Sequence, residues 1–448
     1  MKEVPLVSSH TQKQIGIQVM AAFAGAILAG SLVLMIPIMT SGGDIKFIDA
    51  LFTSTSAICV TGLIVQDTAK YFSDFGKSVI LILIQIGGLG IMTVGSIFGL
   101  ILGKKIQIKD KFYIDSSFGP RQPFIVSRFF ATIAATTAVF EITGCLIIFL
   151  KLYFQYSYPL KSAFTFSLFH SISAFNNAGF SLYSNNLEVF VSDFVVTITV
   201  MLLIIIGGIG FPVMSEIISY RKIKKFSLHA KIVFLVTGIL IFAGALMFFL
   251  FEFKNPATIG EKPIPIKILS SFFQSVTART AGFNTISTGK LTQFSLFFIT
   301  LLMFIGASPG GTGGGIKTTT VAVVTAGSLS AFRGRSQVVL FKRKLPDGLF
   351  LRALTITLAA VVLIFLSTIG LLIFEKCSLT QALFEVASAF GTVGLSTGIT
   401  FGLTTPSKVI LILCMYIGRI GISTLALGLA MRSRADRIIH SEETITIG

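Results

Sequence analysis

Ala50-Leu-Phe-Thr-Ser-Thr-Ser-Ala-Ile-Cys-Val-Thr-Gly62-Leu63 is the stretch that decides the fold. Before its glycine it offers a dozen mostly apolar residues, enough for roughly 18 Å of helix against a hydrocarbon core of roughly 30 Å. Such a segment cannot cross a bilayer. It can enter and return, provided its irregular backbone is buried in protein or lines water. The pattern recurs as Ala163-Phe-Thr-Phe-Ser-Leu-Phe-His-Ser-Ile-Ser-Ala-Phe-Asn-Asn-Ala-Gly179-Phe180, Ser271-Phe-Phe-Gln-Ser-Val-Thr-Ala-Arg-Thr-Ala-Gly282-Phe283 and Ala382-Leu-Phe-Glu-Val-Ala-Ser-Ala-Phe-Gly-Thr-Val-Gly394-Leu395. About 24 to 28 positions after each glycine comes a second mark: Ile86-Gly-Gly-Leu-Gly90, Ile206-Gly-Gly-Ile-Gly210, Ile305-Gly-Ala-Ser-Pro309 and Ile417-Gly-Arg-Ile-Gly421. Two marks in fixed order, four times over, define four domain-sized repeats.

The surroundings of these stretches place the chain in a membrane. With 448 residues, 53% hydrophobic and 12% charged, it carries more apolar material than one soluble core can bury. Apolar runs of transmembrane length include Gln14 to Met39, Val79 to Leu102, Phe194 to Ile218 and Ala353 to Phe374. The net charge of +17 is not a nucleic-acid signature, because no recognition motif accompanies it. Its dense runs flank the apolar spans: Lys104, Lys105, Lys109 and Lys111; Arg221, Lys222, Lys224 and Lys225; Arg333, Arg335, Lys342, Arg343 and Lys344. By the positive-inside rule these loops and both termini face the cytoplasm, and the loops bearing Asp44, Asp49, Asp67, Asp74, Glu188 and Asp193 face outward.

Lys2 and Lys13 before the first apolar run resemble a signal peptide, but the run is too long and lacks a cleavage site, so it reads as a retained first helix. Cys59, Cys145, Cys377 and Cys414 have no metal-ligand spacing and imply no disulfide framework. The expected fold is an all-α integral membrane protein of four pseudo-repeats, each a helix, a re-entrant pore helix with a filter loop, and a helix. Eight spanning helices and four pore helices then surround a central pore, with repeats at 1–127, 128–229, 230–349 and 350–448.

A short helix whose carboxyl end dips to the membrane centre aims about half a negative charge at the axis, and four together favour a cation. The residues that follow can present backbone carbonyls in place of a hydration shell: Cys59, Val60, Thr61 and Gly62; Asn176, Asn177, Ala178 and Gly179; Thr280, Ala281 and Gly282; Gly391, Thr392, Val393 and Gly394. No carboxylate ring occupies these positions, which argues for a monovalent over a divalent ion. Arg279 opens the third segment, where a cation pointing at the axis would repel the ion. It is expected to point away, to backbone carbonyls or an acid such as Glu385, and to support the filter from behind.

In the third repeat the second helix breaks at Gly306, Ala307, Ser308, Pro309, Gly310, Gly311, Thr312, Gly313, Gly314, Gly315 and, past Ile316, Lys317. This run cannot hold a helix in lipid and is a candidate gate below the filter. It is not a nucleotide P-loop, since Ile316 stands where that motif needs glycine. Arg419, within a membrane helix, needs an interior partner. The carbonyls of the broken segment are the first choice, and Glu141 and Glu216 are further buried acids.

With these motifs in view, the chain resembles the membrane subunits of the Trk/Ktr/HKT potassium transporter superfamily, most closely those of bacterial Ktr uptake systems. Val60-Thr-Gly62, Phe175-Asn-Asn-Ala-Gly-Phe180, Arg279-Thr-Ala-Gly-Phe283 and Phe390-Gly-Thr-Val-Gly394 carry the resemblance, which covers nearly the whole chain. It implies K+ as the transported ion, with Na+ a candidate activator and no organic cofactor bound by this chain. It also implies a homodimer in the bacterial cell membrane, mounted on a cytoplasmic ring of nucleotide-binding (ATP/ADP, RCK/KTN-type) regulatory subunits. In relatives, serine at the first filter glycine goes with sodium preference, so glycine at all four positions favours potassium. The chain itself has no dinucleotide fingerprint, so nucleotide control must come from another chain. The alternatives are a sodium/potassium co-transporting or less selective cation carrier, an alternating-access carrier, which calls for paired broken helices, and an intramembrane enzyme. Against the last, His10, His170, His229 and His440 are scattered and form no catalytic constellation.

Overall fold

The computed structural model describes residues 9–90, 126–335 and 337–429. The basic run Lys104 to Lys111, the second half of Val79 to Leu102, and His440 lie outside the described residues.

Each repeat opens on a long helix: α1 (Ser9–Leu34), α4 (Val126–Phe154), α8 (Leu228–Glu252) and α12 (Leu349–Phe374). These four are long and apolar enough to cross a membrane. Their outer faces stay exposed, as at Ile142, Phe242, Leu246 and Phe365, which suits a lipid boundary and no aqueous one. Each is followed by a short helix: α2 (Phe47–Ile58), α5 (Leu160–Phe175), α9 (Ile264–Thr277) and α13 (Leu379–Gly391). The short helices are buried deep among the others, with Phe52, Phe175, Phe273 and Phe384 inaccessible.

The third helices are α3 (Asp74–Leu89), α6 (Phe194–Gly208), α10 (Gln293–Phe304) and α14 (Thr405–Ile420). Each is clasped at its start to the last turn of the long helix of its own repeat or to the residues just after it. Ser73 Oγ donates to Ile38 O at 2.6 Å, Lys151 pairs with Asp193 at 3.4 Å, Glu252 accepts from Thr292 N and Oγ1 at 2.9 and 2.7 Å, and Glu375 accepts from Thr404 N and Oγ1 at 2.7 and 2.8 Å. Ser73, Asp193, Thr292 and Thr404 are the N-cap residues of these helices, where an unsatisfied N–H needs a partner.

One expectation is corrected here. Phe194 to Ile218 reads as a single span, and the structure bends it by 101° between α6 and α7 (Phe211–Ile223). The second glycine marks are the cause. Gly90, Gly210 and Gly421 all sit at left-handed φ, 84°, 92° and 86°, and each ends a third helix. In the third repeat, where Pro309 holds this place, α10 stops at Phe304 and the chain resumes as α11 (Thr318–Phe332). The sequence shows one marked break, whereas α3, α6, α10 and α14 all stop. A short hairpin of β1 (Val339–Leu340) and β2 (Arg343–Lys344) leads to α12, and α15 (Ile422–Leu429) follows α14.

A ring of four glycine segments as the candidate functional site

The four predicted glycines meet. A β-carbon built on Gly62 would lie 3.0 Å from the Gly179 Cα, one on Gly179 2.9 Å from that of Gly282, one on Gly282 3.0 Å from that of Gly394, and one on Gly394 3.0 Å from that of Gly62. The repeats therefore close on one another in chain order. No side chain fits at any of the four places, because the atom it would meet is backbone.

The backbone of each segment alternates in hand. Val60 and Gly62 have φ of 50° and 91°, Asn177 and Gly179 57° and 68°, Thr280 and Gly282 71° and 75°, Thr392 and Gly394 50° and 94°. Left-handed residues at every second position turn successive peptide planes so that their carbonyls can share one side. Glycine takes this conformation freely, whereas Val60, Asn177, Thr280 and Thr392 are each strained by about 1–2 kcal/mol. The surrounding packing must hold them, and all four side chains are fully buried.

Hydroxyl groups near the ends of the short helices anchor the segments, and sequence reasoning did not single them out. Ser56 Oγ accepts from Gly62 N and Ser388 Oγ from Gly394 N, each at 3.0 Å. Ser173 Oγ donates to Phe180 O at 2.9 Å and Thr277 Oγ1 to Phe283 O at 2.6 Å. The available signal was a hydroxyl residue five or six positions before every repeat glycine.

The broken run 306–317 lies against these segments. Gly314 N donates to Thr392 Oγ1 at 2.8 Å, and a β-carbon on Gly313 would come within 2.6 Å of the Thr280 Cβ. Its backbone, which lipid could not satisfy, is bonded to other helix ends: Ser308 N to Gly208 O at 3.0 Å, Thr312 N to Gly207 O at 3.2 Å, Gly315 N to Gly418 O at 3.3 Å, and Phe211 N to Gly310 O at 3.0 Å. Ile305 and Ile316 pair as a β-bridge, and Lys317 Nζ donates to Gly313 O at 2.8 Å. Arg419 donates from Nη1 to Thr312 O and from Nη2 to Gly87 O, so one guanidinium joins the run to the end of α3.

One expected pairing changes, while Arg419 takes a carbonyl of the broken run as expected. Among the described residues Arg279 bonds to neither Glu385 nor a backbone carbonyl; its Nη2 donates to Thr237 Oγ1 on α8 at 3.3 Å. Glu385 is already occupied, taking Ser396, Thr397 and Thr400 of the following turn. Of the acids considered for Arg419, Glu141 accepts from Gln85 and Asn176, and Glu216 accepts from Ser227. The second glycine marks take a packing role: Gly87, Gly207 and Gly418 seat the carbonyl oxygens of Ile58, Phe175 and Phe390 where any β-carbon would stand. Gly306 seats Gly314 O instead.

A multi-pass helical chain whose irregular backbone is gathered inside, in a ring of alternating hand, has the build of a membrane transport protein. The TrkH family, described as cation transport proteins, matches residues 3–441, and the chain belongs to it. Ktr system potassium uptake protein B of Bacillus subtilis (strain 168) is 40% identical over 422 residues, 94% of either chain. The protein of the same name from Vibrio alginolyticus is 37% identical over 434 residues, 96% of this chain and 94% of the relative. Potassium/sodium uptake protein NtpJ of Enterococcus hirae is 35% identical over 96% of both chains. The crystal structure of the potassium transporter TrkH from Vibrio parahaemolyticus superposes with a TM-score of 0.71 over 96% of this chain and 86% of that one. At 20% identity this likeness speaks for the fold alone.

Proposed function

We propose that the chain is a channel-like potassium transporter that passes K+ down its electrochemical gradient through the four glycine segments. The observation that carries the reading is the closed ring of Gly62, Gly179, Gly282 and Gly394 with alternating backbone hand. In this reading the carbonyls of the four segments replace the ion's hydration shell, and the absence of carboxylates among them favours a monovalent ion. The names of the Bacillus and Vibrio relatives, both potassium uptake proteins, support the choice of K+.

The finer architecture belongs to the same proposal: eight membrane-crossing units around four re-entrant short helices. The run 306–317 acts as the gate, Arg419 holds it, and Arg279 supports the filter from behind through α8. A second copy of the chain completes a dimer in the membrane, and both termini face the cytoplasm, where a ring of nucleotide-binding regulatory subunits docks. Flux of K+ into liposomes carrying the purified full chain, with Na+ in competition, tests the reading; a chain that passes no K+ down an imposed gradient, with a regulatory subunit supplied, refutes it. Co-transport of sodium with potassium is the second reading, supported by the name of the Enterococcus relative, a potassium/sodium uptake protein. It predicts that K+ entry rises with an inward Na+ gradient.

A further inference from the structure

Glu141 is a carboxylate in the middle of a membrane-crossing stretch, Thr132–Phe154, and is only 8% exposed. An acid there is expensive to keep and calls for a function or a partner. Among the described residues its carboxylate meets two amides and no cation. Oε1 accepts from Asn176 Nδ2 at 3.0 Å and Oε2 from Gln85 Nε2 at 3.3 Å. Asn176 Nδ2 also lies 2.9 Å from both Gln85 Oε1 and Ile172 O, so its two hydrogens are shared among three acceptors. Gln85 belongs to α3, Glu141 to α4, and Asn176 opens the second filter segment, so three elements converge on one closed cycle.

The cycle has a chemical requirement. Gln85 turns its oxygen to Asn176 and its nitrogen to residue 141, and Asn176 turns its nitrogen to both. Residue 141 must therefore accept twice and donate to neither, which a carboxylate does and an amide of the same size cannot. Gly88 leaves room for the arrangement, since a β-carbon there would overlap the Asn176 amide oxygen. The next residues of the segment are the left-handed Asn177 and then Gly179 of the ring.

Resting on the potassium reading above, we propose that Glu141 is a positioning residue for ion selectivity. It acts through Asn176, whose orientation fixes the inner end of the second filter segment and places negative charge behind it. Among the described residues no carboxylate is hydrogen-bonded to Cys59, Thr280 or Gly391, the first residues of the other three segments, so this device is particular to the second repeat.

The test compares wild type, Glu141→Gln, Glu141→Ala and the exchange variant Gln85→Glu/Glu141→Gln, each as full chain. Two readouts are taken: the K+/Na+ uptake ratio in liposomes, and the difference in thermal stabilisation by K+ and by Na+ in detergent. Glu141→Gln is expected to lower the uptake ratio by about tenfold, the scale of one hydrogen bond to a charged group, and to shrink the stabilisation difference, at unchanged yield and monodispersity. The exchange variant returns a carboxylate to Asn176 and should recover most of both, which a packing role would not do because all side chains involved keep their size. Variants that match wild type in both readouts overturn this inference alone. A wild-type chain that neither passes K+ nor is stabilised by it overturns the potassium reading and this inference with it.

Discussion

Gly394 faces Gly62 across the seam where the fourth repeat meets the first, with only 3.0 Å between the Gly62 Cα and the place a β-carbon on Gly394 would occupy. The two are separated by most of the chain, yet their contact has the same form as those between successive repeats. The first and last repeats are thereby neighbours like any other pair, and a site built from all four needs both ends of the sequence in place.

A side chain at Gly62 would test the ring at one point. Its φ of 91° strains any other residue by about 1–2 kcal/mol, and a β-carbon would stand 2.5 Å from Ala178 O, a carbonyl of the second segment. Gly62→Ser should push that carbonyl outward and lower the K+/Na+ uptake ratio by about tenfold, a change of ~1.4 kcal/mol in discrimination. An unchanged ratio at normal expression would remove Gly62 from the selective site.

Ser388→Ala would leave the half-buried Gly394 N without its acceptor. Leaving such a group unsatisfied costs about 1–3 kcal/mol, so the midpoint of thermal unfolding in detergent should fall and the K+/Na+ ratio with it. A lower midpoint with intact selectivity would reduce Ser388 to a structural hydroxyl.

How much of this was legible in the sequence follows from the range of each interaction. The short helices and their glycines were readable because the thickness of a bilayer makes helix length decisive: Phe47–Ile58 is too short to cross, whatever surrounds it. The left-handed residues at Val60, Asn177, Thr280 and Thr392 were not, since none is a residue type whose presence announces positive φ on all four occasions. The stops at Gly90, Gly210 and Gly421 were hidden inside hydropathy that runs on past them. Arg279 was given the wrong partner because Thr237 and Glu385 belong to different repeats, and only packing decides which helix stands behind the third segment.

The Gly394–Gly62 seam has a polar clasp as well. Lys408, in the first turn of α14, donates to Asp49, in the first turn of α2, at 2.6 Å, with side chains 13% and 6% exposed. Removing one partner of a buried pair costs about 3–5 kcal/mol, whereas replacing both with neutral groups can be nearly free. Lys408→Met should therefore lower the unfolding midpoint by several degrees, and Asp49→Asn in the same chain should restore most of it. Additive losses in the double variant would show that the two residues act separately.

Arg419 offers the sharpest test of the proposed gate. Its two terminal nitrogens go to carbonyls of different elements, Thr312 in the broken run and Gly87 at the end of α3, and Nη2 also lies 3.4 Å from Gly88 O. Only a planar fork bridges the two; a lysine ammonium at the end of a shorter stem can satisfy one carbonyl and leaves the other buried and unmatched. If this bridge holds the run across the ion path, Arg419→Lys should raise K+ flux into liposomes several-fold in the absence of a regulatory subunit, and Arg419→Gln should raise it further. Lys317→Ala serves as the contrast, because Lys317 bonds to Gly313 within the same run and, among the described residues, to no other helix, so its effect should be the smaller. Flux that stays at the wild-type level in both Arg419 variants, with the protein folded and inserted, would mean that the run does not close the path.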